Sequence, residues 1–279
     1  SEGNETKFST DKFVIAGILL VAAGLRFALL GSHPLNDNEA TLALQAMAVS
    51  RGQETMLSGE PGYLSLTAAM FFLFGASDFM ARIWPALFGT CAVLLPFLYR
   101  PWLGRKASLW LAGFIALDPI LIGASRAADG SMLAMVCLLA GIGFLLKKKP
   151  VLSGISLGIA LSGSPEFWNG LLLLGVVALV GRVKFSKHDS NGSSGITKRD
   201  WVTAGSSAVA SLILISTFFL TKPVGISTIG SSMVEFFASM VESSGTQLLG
   251  LGIAWLLMGL PVIILAFWGL IEGLLHKDE

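Results

Sequence analysis

The chain has 279 residues, of which 53% are hydrophobic and 13% are charged, and its mean hydropathy is +0.74. Because ordinary water-exposed domains carry about 25% charged residues, this composition favours a chain that uses a lipid bilayer as the solvent for much of its surface. The formal net charge of +1 gives no case for a nucleic-acid partner. Two cysteines are too few for a disulfide framework or a thiolate metal site.

Apolar runs long enough to cross a membrane recur along the chain. A span needs roughly 20 apolar residues, with about 17 as the lower limit. The sequence therefore predicts an all-α, polytopic transmembrane bundle of about eight spans, the fifth being short enough to need a tilt or a thinner bilayer. The predicted spans are 13–31, 83–99, 107–124, 131–146, 151–163, 167–183, 202–221 and 248–275.

Two segments between the first and second spans are predicted to be external juxtamembrane helices that lie flat on the bilayer. Residues 36–51 start with a helix cap and acidic residues, and residues 63–76 are apolar but only 14 residues long. Lys and Arg are enriched in cytoplasmic loops, and every basic cluster falls on one side only if 63–76 does not cross. We therefore expect a multi-pass cell-membrane protein with both termini cytoplasmic and loop 32–81 external.

The longest polar stretch, residues 185–200, is rich in Ser, Gly, Lys and Asp and is typical of a flexible linker. It predicts three parts: a core with six spans and the external loop in 1–184, a cytoplasmic linker at 185–200, and two further spans in 201–279. Within the core, Gly154 and Gly158 form a small-residue pair that favours close approach of a neighbouring helix.

Ionisable side chains gather at the predicted outer ends of the spans. Arg26 and Asp118 even fall within apolar runs, where a charge is costly unless it faces a partner or a wet cavity. For any single one, a loop position at the headgroup level explains the charge as well as a functional role does, and for Arg26 and Asp118 the equally good alternative is a salt bridge that only ties helices together. However, a cavity of carboxylates and arginines suits a phosphate-containing, lipid-linked substrate, because arginine binds phosphate through paired hydrogen bonds and a carboxylate can act as a base.

Short motifs occur in a fixed order through residues 13–170, and as a set they resemble the front half of the GT-C membrane glycosyltransferases. The most similar branch contains the protein mannosyltransferases and aminoarabinose transferases of prokaryotes. In that family a polyprenyl phosphate carries the sugar, and two flat helices follow the first span. The motifs are Arg26-Phe-Ala-Leu-Leu, Pro34-Leu-Asn-Asp-Asn-Glu-Ala40, Glu60-Pro-Gly-Tyr63, Leu73-Phe-Gly-Ala-Ser-Asp-Phe-Met-Ala-Arg82, Leu103-Gly-Arg105, Leu117-Asp-Pro119 and Ser125-Arg-x-x-Asp129.

The resemblance implies roles for individual residues. Asp37 or Glu39 would be the catalytic acid after the first span, and Asp129 would be the acid of the second external loop. The implied substrate-binding residues are Glu60 and Arg126, to which we add, by position, Arg26 and Arg82 as phosphate-holding arginines. No metal ligand is assigned, although a divalent metal stays open as a cofactor. The implied partners are a lipid-linked sugar donor, membrane lipids and other membrane subunits, with no nucleic acid.

Two departures from the family pattern keep a second hypothesis open. The family has adjacent Asp-Glu, whereas here Asn38 precedes Glu39 and Asp37 is displaced by one residue, which is a rotation of roughly 100° on a helix. In addition, Pro61-Gly62 stands where that branch often has Lys-Pro-Pro. The first hypothesis is therefore a sugar transferase using a polyprenyl-phosphate donor and an external acceptor. The alternative is a catalytically inactive GT-C-like scaffold, an accessory subunit of a larger complex; a transporter is disfavoured because no inverted repeat occurs.

Overall fold

The structure is a computed structural model that describes residues 2–165, 167–168, 170–171, 197–218, 230 and 234. The chain divides into two compact units, residues 1–233 and 234–279, and the helices of the described ranges from Glu2 to Ser216 all lie in the first. The predicted span 248–275, nearly all of 167–183 and most of the linker 185–200 lie outside the described residues.

All regular elements in the described part of the chain are helices. Between Glu2 and Gly163 the longer ones are joined by short turns, apart from two loops, 28–36 and 51–60, that precede the second and third helices. The helices are α1 (Glu2–Phe27), α2 (Asp37–Ser50), α3 (Pro61–Phe74), α4 (Asp78–Ala92), α5 (Leu95–Leu98), α6 (Arg100–Leu103), α7 (Arg105–Leu117), α8 (Pro119–Ala124), α9 (Ser131–Leu146), α10 (Pro150–Gly163) and α11 (Lys198–Ser216).

The predicted membrane bundle is wrong for these helices. Across the described ranges, no helix combines the length and the apolar character that crossing a bilayer requires. This finding overturns the predicted eight spans with two flat external helices, and with them the predicted multi-pass cell-membrane localisation with cytoplasmic termini.

Helix breaks explain part of this error. The predicted span 107–124 is two helices, because Pro119 has no N–H for the α-helical ladder. The Asp118 carboxylate then caps the second helix, accepting the N–H of Ile120 at 2.8 Å and of Leu121 at 3.1 Å. The predicted span 83–99 is likewise interrupted, since α4 ends at Ala92 and only the four-residue α5 follows.

Length and composition explain the rest. Helix α9 has 16 residues and α10 has 14, and three lysines separate them. Helices α1 and α11 are longer, with 26 and 19 residues, but both begin with charged residues, and α11 carries several serines. In the described ranges, the apolar runs that predicted spans therefore do not form single, uninterrupted apolar helices of sufficient length.

The two segments that were expected to lie flat are indeed helical. Helix α2 begins with a capping box: Asn36 Oδ1 accepts the Glu39 N–H, and Glu39 Oε2 accepts the Asn36 N–H, both at 2.9 Å. Helix α3 begins at Pro61, a residue that suits the first helical position because its missing N–H is not needed there. Helices α2 and α3 pack against each other through Leu42, Ala46 and Leu64.

Small residues let α10 approach its neighbour α11 closely. A Cβ added at Gly154 would lie 2.1 Å from the Ala204 carbonyl oxygen, and one at Gly158 would lie 2.3 Å from the Ala208 carbonyl oxygen. The Ser211 hydroxyl donates across the same contact to the Ile155 carbonyl at 3.2 Å. Any larger residue at either glycine would force these helices apart.

Candidate functional site

A buried salt bridge joins helices α2 and α4. Arg82 on α4 donates from Nη2 to Glu39 Oε2 at 2.8 Å, and from Nε to Glu39 Oε1 at 3.4 Å. Both side chains are only 8% exposed. An ion pair this well enclosed needs further hydrogen bonds to offset the loss of water around both charges.

Backbone groups provide these further bonds for Arg82. Its Nη1 donates to the carbonyls of Leu30 and His33, at 3.2 and 2.8 Å, and its Nη2 donates to that of Pro34 at 3.2 Å. Arg82 therefore fastens the loop that precedes α2 to the first turns of α4. Every nitrogen of the guanidinium is engaged within the protein.

The Glu39 carboxylate is equally occupied. In addition to Arg82 and the Asn36 N–H, it accepts the backbone N–H of Ala128 at 2.7 Å. Burial alone would raise the pKa of Glu39, but the hydrogen bonds from Arg82, Asn36 and Ala128 and the charge of Arg82 outweigh it and lower that pKa. Glu39 is thus held as a carboxylate that links α2, α4 and the loop after α8.

Tyr63 on α3 is buried beside the loop 125–131, where a Cβ added at Gly130 would lie 3.2 Å from the Tyr63 Cβ. Its ring is fully buried and its hydroxyl donates to the Ala81 carbonyl at 2.8 Å. The pKa of Tyr63 is raised, and burial of the hydroxyl is the largest cause. The negative charges of Glu60, Asp129 and Glu39 raise this pKa further. Three carboxylates from separate chain segments therefore act on a single phenol.

Glu60 and Asp129 also support the backbone. Glu60 Oε2 accepts the Gly130 N–H at 3.0 Å, while Asp129 Oδ1 accepts the N–H of Ser131 at 3.0 Å and also its hydroxyl. A Cβ at Gly130 would lie 1.8 Å from the Gly163 carbonyl oxygen, so only glycine allows the end of α10 to come this close. The loop 125–131 is therefore held firmly between α2, α3 and α10.

Arg26 lies elsewhere, against the break between α7 and α8. Its side chain is fully buried, and it donates from Nη2 to the Ile115 carbonyl at 2.9 Å and from Nη1 to the Ala116 carbonyl at 3.2 Å. In an unbroken helix Ile115 would receive the N–H of residue 119, which here is proline. Burial lowers the pKa of Arg26, and the charge of Asp118 partly offsets this effect.

Arg126 and Asp37 also lie outside the acid group around Tyr63. Arg126 donates from Nη1 to the carbonyls of Leu25 and Ala28, at 3.0 and 2.8 Å, and from Nη2 to that of Leu29 at 3.3 Å. It therefore closes the C-terminal end of α1, whose last carbonyls have no helical partner. Asp37 is exposed in the first turn of α2, where an acid complements the helix dipole.

The structure thus joins Glu39, Glu60, Asp129 and Arg82 in one region and leaves Asp37, Arg26 and Arg126 outside it.

A separate groove of about 430 Å³ between α2, α3 and α4 is lined mainly by apolar side chains such as Leu44, Met47 and Phe71, with Asp78 beside them. In the described ranges, no three His, Cys, Asp or Glu side chains are placed to hold a metal ion.

Sequence reasoning missed Tyr63 and the amide groups of Ala128 and Gly130. The signal available for them was weak: a glycine directly after Asp129, and an aromatic residue directly after the Glu60-Pro61-Gly62 turn. The contacts of the two amide groups join residues that are 70 or more positions apart.

The sequence matches no protein-family model, no curated protein and no solved structure. The class of the protein therefore follows from the described fold and site alone. They define a helical protein in which the buried Glu39–Arg82 pair and the neighbouring carboxylates of Glu60 and Asp129 join distant chain segments.

Proposed function

We propose that this chain is a catalytically inactive helical scaffold that works as an accessory subunit of a larger assembly. One observation carries the proposal: the three arginines that could hold a substrate phosphate, Arg26, Arg82 and Arg126, all donate to the protein's own backbone carbonyls. A phosphate would have to displace these bonds, and at Arg26 and Arg82, where the bonds are buried or partly buried, the carbonyls left behind would be unsatisfied.

The cost of such a displacement supports the proposal. Leaving one buried polar group without a hydrogen bond costs about 1–3 kcal/mol. Arg82 alone satisfies three carbonyls and Glu39. Binding energy from a phosphate would be largely consumed in replacing these contacts, so Arg82 is better suited to hold the fold than to hold a substrate.

The carboxylates support the same proposal. A general base must present a free lone pair to the proton that it removes. Both oxygens of Glu39 accept hydrogen bonds, and Glu60 Oε2 and Asp129 Oδ1 accept backbone N–H groups. These acids stabilise loops and helix ends through hydrogen bonds, a structural role that fits a scaffold better than an enzyme.

Exposed apolar side chains support the accessory role. Phe72, Leu73 and Phe74 are consecutive at the end of α3 and are 66–75% exposed. Contiguous apolar surface of this kind is typical of a face that a partner covers. We assign it to contact with another subunit of the assembly.

A second candidate function rests on Asp37. Its carboxylate is exposed, and it directly precedes the Asn38-Glu39 pair of the motif that resembles GT-C sugar transferases. In this alternative, Asp37 activates the acceptor hydroxyl, with a polyprenyl-phosphate sugar as donor.

A transfer assay separates the two candidates. The purified full chain is incubated with a polyprenyl-phosphate donor carrying radiolabelled mannose, and release or transfer of the sugar is measured. The scaffold proposal expects no turnover by the chain alone. Turnover that falls about 10² to 10⁴-fold in Asp37→Asn, but not in the exposed control Glu54→Gln, would establish the transferase instead.

A further inference from the structure

Helix α2 is apolar on two faces, and α3 covers one of them. On the first face, Leu42 belongs to the same core cluster as Leu64 of α3. On the second face, Ala40, Leu44 and Met47 recur at the spacing of one side of an α-helix. These three side chains line the groove of about 430 Å³ between α2, α3 and α4. Because Leu44 is 59% exposed, the groove is open at this face.

The groove continues into the exposed apolar end of α3. Phe71 lines the groove. Phe72, Leu73 and Phe74 follow it directly and form the surface that we assign to contact with another subunit. The chain then returns to the groove at residues 76–78. The groove and the exposed end of α3 are therefore adjacent parts of one apolar region.

Charged side chains mark the two ends of the groove. Asp78 lines it where α4 begins, and Asp37 lies three residues before Ala40 on the same side of α2. Among the described residues, neither carboxylate has a hydrogen-bond or ion-pair partner. At the opposite end, the exposed Arg51 lies one helical turn beyond Met47. The groove is thus acidic at one end and basic at the other.

An α-helix is the occupant that fits this shape and this distribution of charge. A groove between helices binds a partner helix through apolar side chains at i, i+3 or i+4, and i+7, and the lining residues of α2 repeat with the same spacing. The two carboxylates select a cation at their end of the groove, because a partner that covered them without one would remove their water uncompensated. Arg51 favours a carboxylate at the other end for the same reason.

We propose that the groove binds an amphipathic helix of a partner subunit, with a Lys or Arg at the end that lies over Asp37 and Asp78. The inference rests on the proposed scaffold function, since it gives the chemistry of the partner that an accessory subunit would join. Apolar side chains of the partner helix pack on Leu44, Met47 and Phe71, while its outer face stays polar. The charged ends orient the helix, and the apolar contacts supply most of the affinity.

The first test measures the apolar contact in the full chain. The probe is a fluorescent helical peptide of about 18 residues, rich in Ala and Gln, with leucines along one face and two lysines at its C-terminal end; fluorescence anisotropy reports its binding. Leu44→Ala should weaken binding about fivefold, because less apolar area is buried, and should change the melting temperature little. The matched control is Leu20→Ala, at a leucine of α1 that is 73% exposed and does not line the groove, which should leave affinity unchanged.

The second test isolates the charged end. A peptide with glutamines in place of the two lysines should bind about fivefold more weakly at low salt, and high salt should reduce this preference. In Asp78→Asn, a variant that keeps the size of the side chain, the preference should fall to about twofold, since this cycle removes the pair between Asp78 and a lysine. A preference that is unchanged in Asp78→Asn would place the cation elsewhere and overturn the proposed orientation.

Three other outcomes overturn the inference. Absence of peptide binding would show that the groove does not take a helix. Equal weakening by Leu44→Ala and Leu20→Ala would indicate adsorption to apolar surface in general. A full chain that sediments as a dimer, and as a monomer in Leu44→Ala, would make a second copy the occupant.

The proposed function and this inference fail in different experiments. Sugar turnover in the transfer assay would remove the scaffold function and leave a positive peptide result in place. Loss of peptide binding would leave the result of the transfer assay in place, so the two failures are distinguishable.

Discussion

At the scale of single residues, the buried ion pair shows why charged side chains occur in this apolar chain. Arg82 and Glu39 lose most of their water, but each is surrounded by hydrogen-bond partners from several segments. Removing one member of such a pair leaves the other charge buried and uncompensated, which is the expensive state.

Glu39→Gln should therefore destabilise the fold by about 3 kcal/mol, the lower end for a broken buried pair. The measurement is urea denaturation of the full chain at neutral pH, with the exposed Glu54→Gln as a control that should change stability little. If both variants behave alike, the bridge contributes nothing specific to stability.

The lowered pKa of Glu39 adds a pH dependence with a definite sign. A carboxylate whose pKa is lower in the folded state contributes stability that is fully present above its unfolded pKa of about 4.3, and is lost as pH falls through the folded value. The stability difference between the wild-type chain and Glu39→Gln should accordingly shrink below about pH 4. A difference that grows in acid would contradict the assignment.

At the scale of helices, elements with local sequence signals could be predicted, whereas contacts that depend on tertiary packing could not. The Asn36 cap and the apolar residues after Pro61 predicted α2 and α3 because caps and first-turn prolines are local signals. The signal for the helix break at Asp118-Pro119 was equally local, but the long apolar run around it led to the prediction of one continuous span over 107–124. The pairing of Glu39 with Arg82, 43 residues apart, was inaccessible because it depends on tertiary packing.

The break between α7 and α8 gives a prediction at this scale. Arg26 satisfies the Ile115 carbonyl, which Pro119 leaves without a helical partner, and also the next carbonyl, of Ala116, so Arg26 and Pro119 should be energetically coupled. Arg26→Leu should cost about 2 kcal/mol by orphaning them. In a Pro119→Ala background, where residue 119 regains its N–H, the same change should cost less by about 1 kcal/mol. Urea denaturation of the four proteins in this cycle measures the coupling, and strictly additive costs would disprove it.

At the scale of the whole molecule, mean hydropathy led to the wrong architecture. An average over the chain does not distinguish apolar residues packed between helices from apolar residues on the surface. The described fold has both kinds, often side by side: Phe71 is 7% exposed and packs with Leu64 and Ala68, whereas its neighbour Phe72 is 75% exposed. Surface apolar groups raise the mean hydropathy as much as core groups do, but they do not pack in the core of the fold.

This adjacent pair provides a test of the subunit assignment. Phe71→Ala should destabilise the fold by about 3–5 kcal/mol, as expected for a buried aromatic side chain. Phe72→Ala should change stability by no more than about 0.5 kcal/mol, and it should reduce the self-association of the isolated chain, because an uncovered apolar face promotes non-native contacts. Thermal melts report the first effect, and sedimentation velocity reports the second. If Phe72→Ala unfolds the chain while leaving self-association unchanged, then the end of α3 belongs to the core and does not serve as a partner-covered surface.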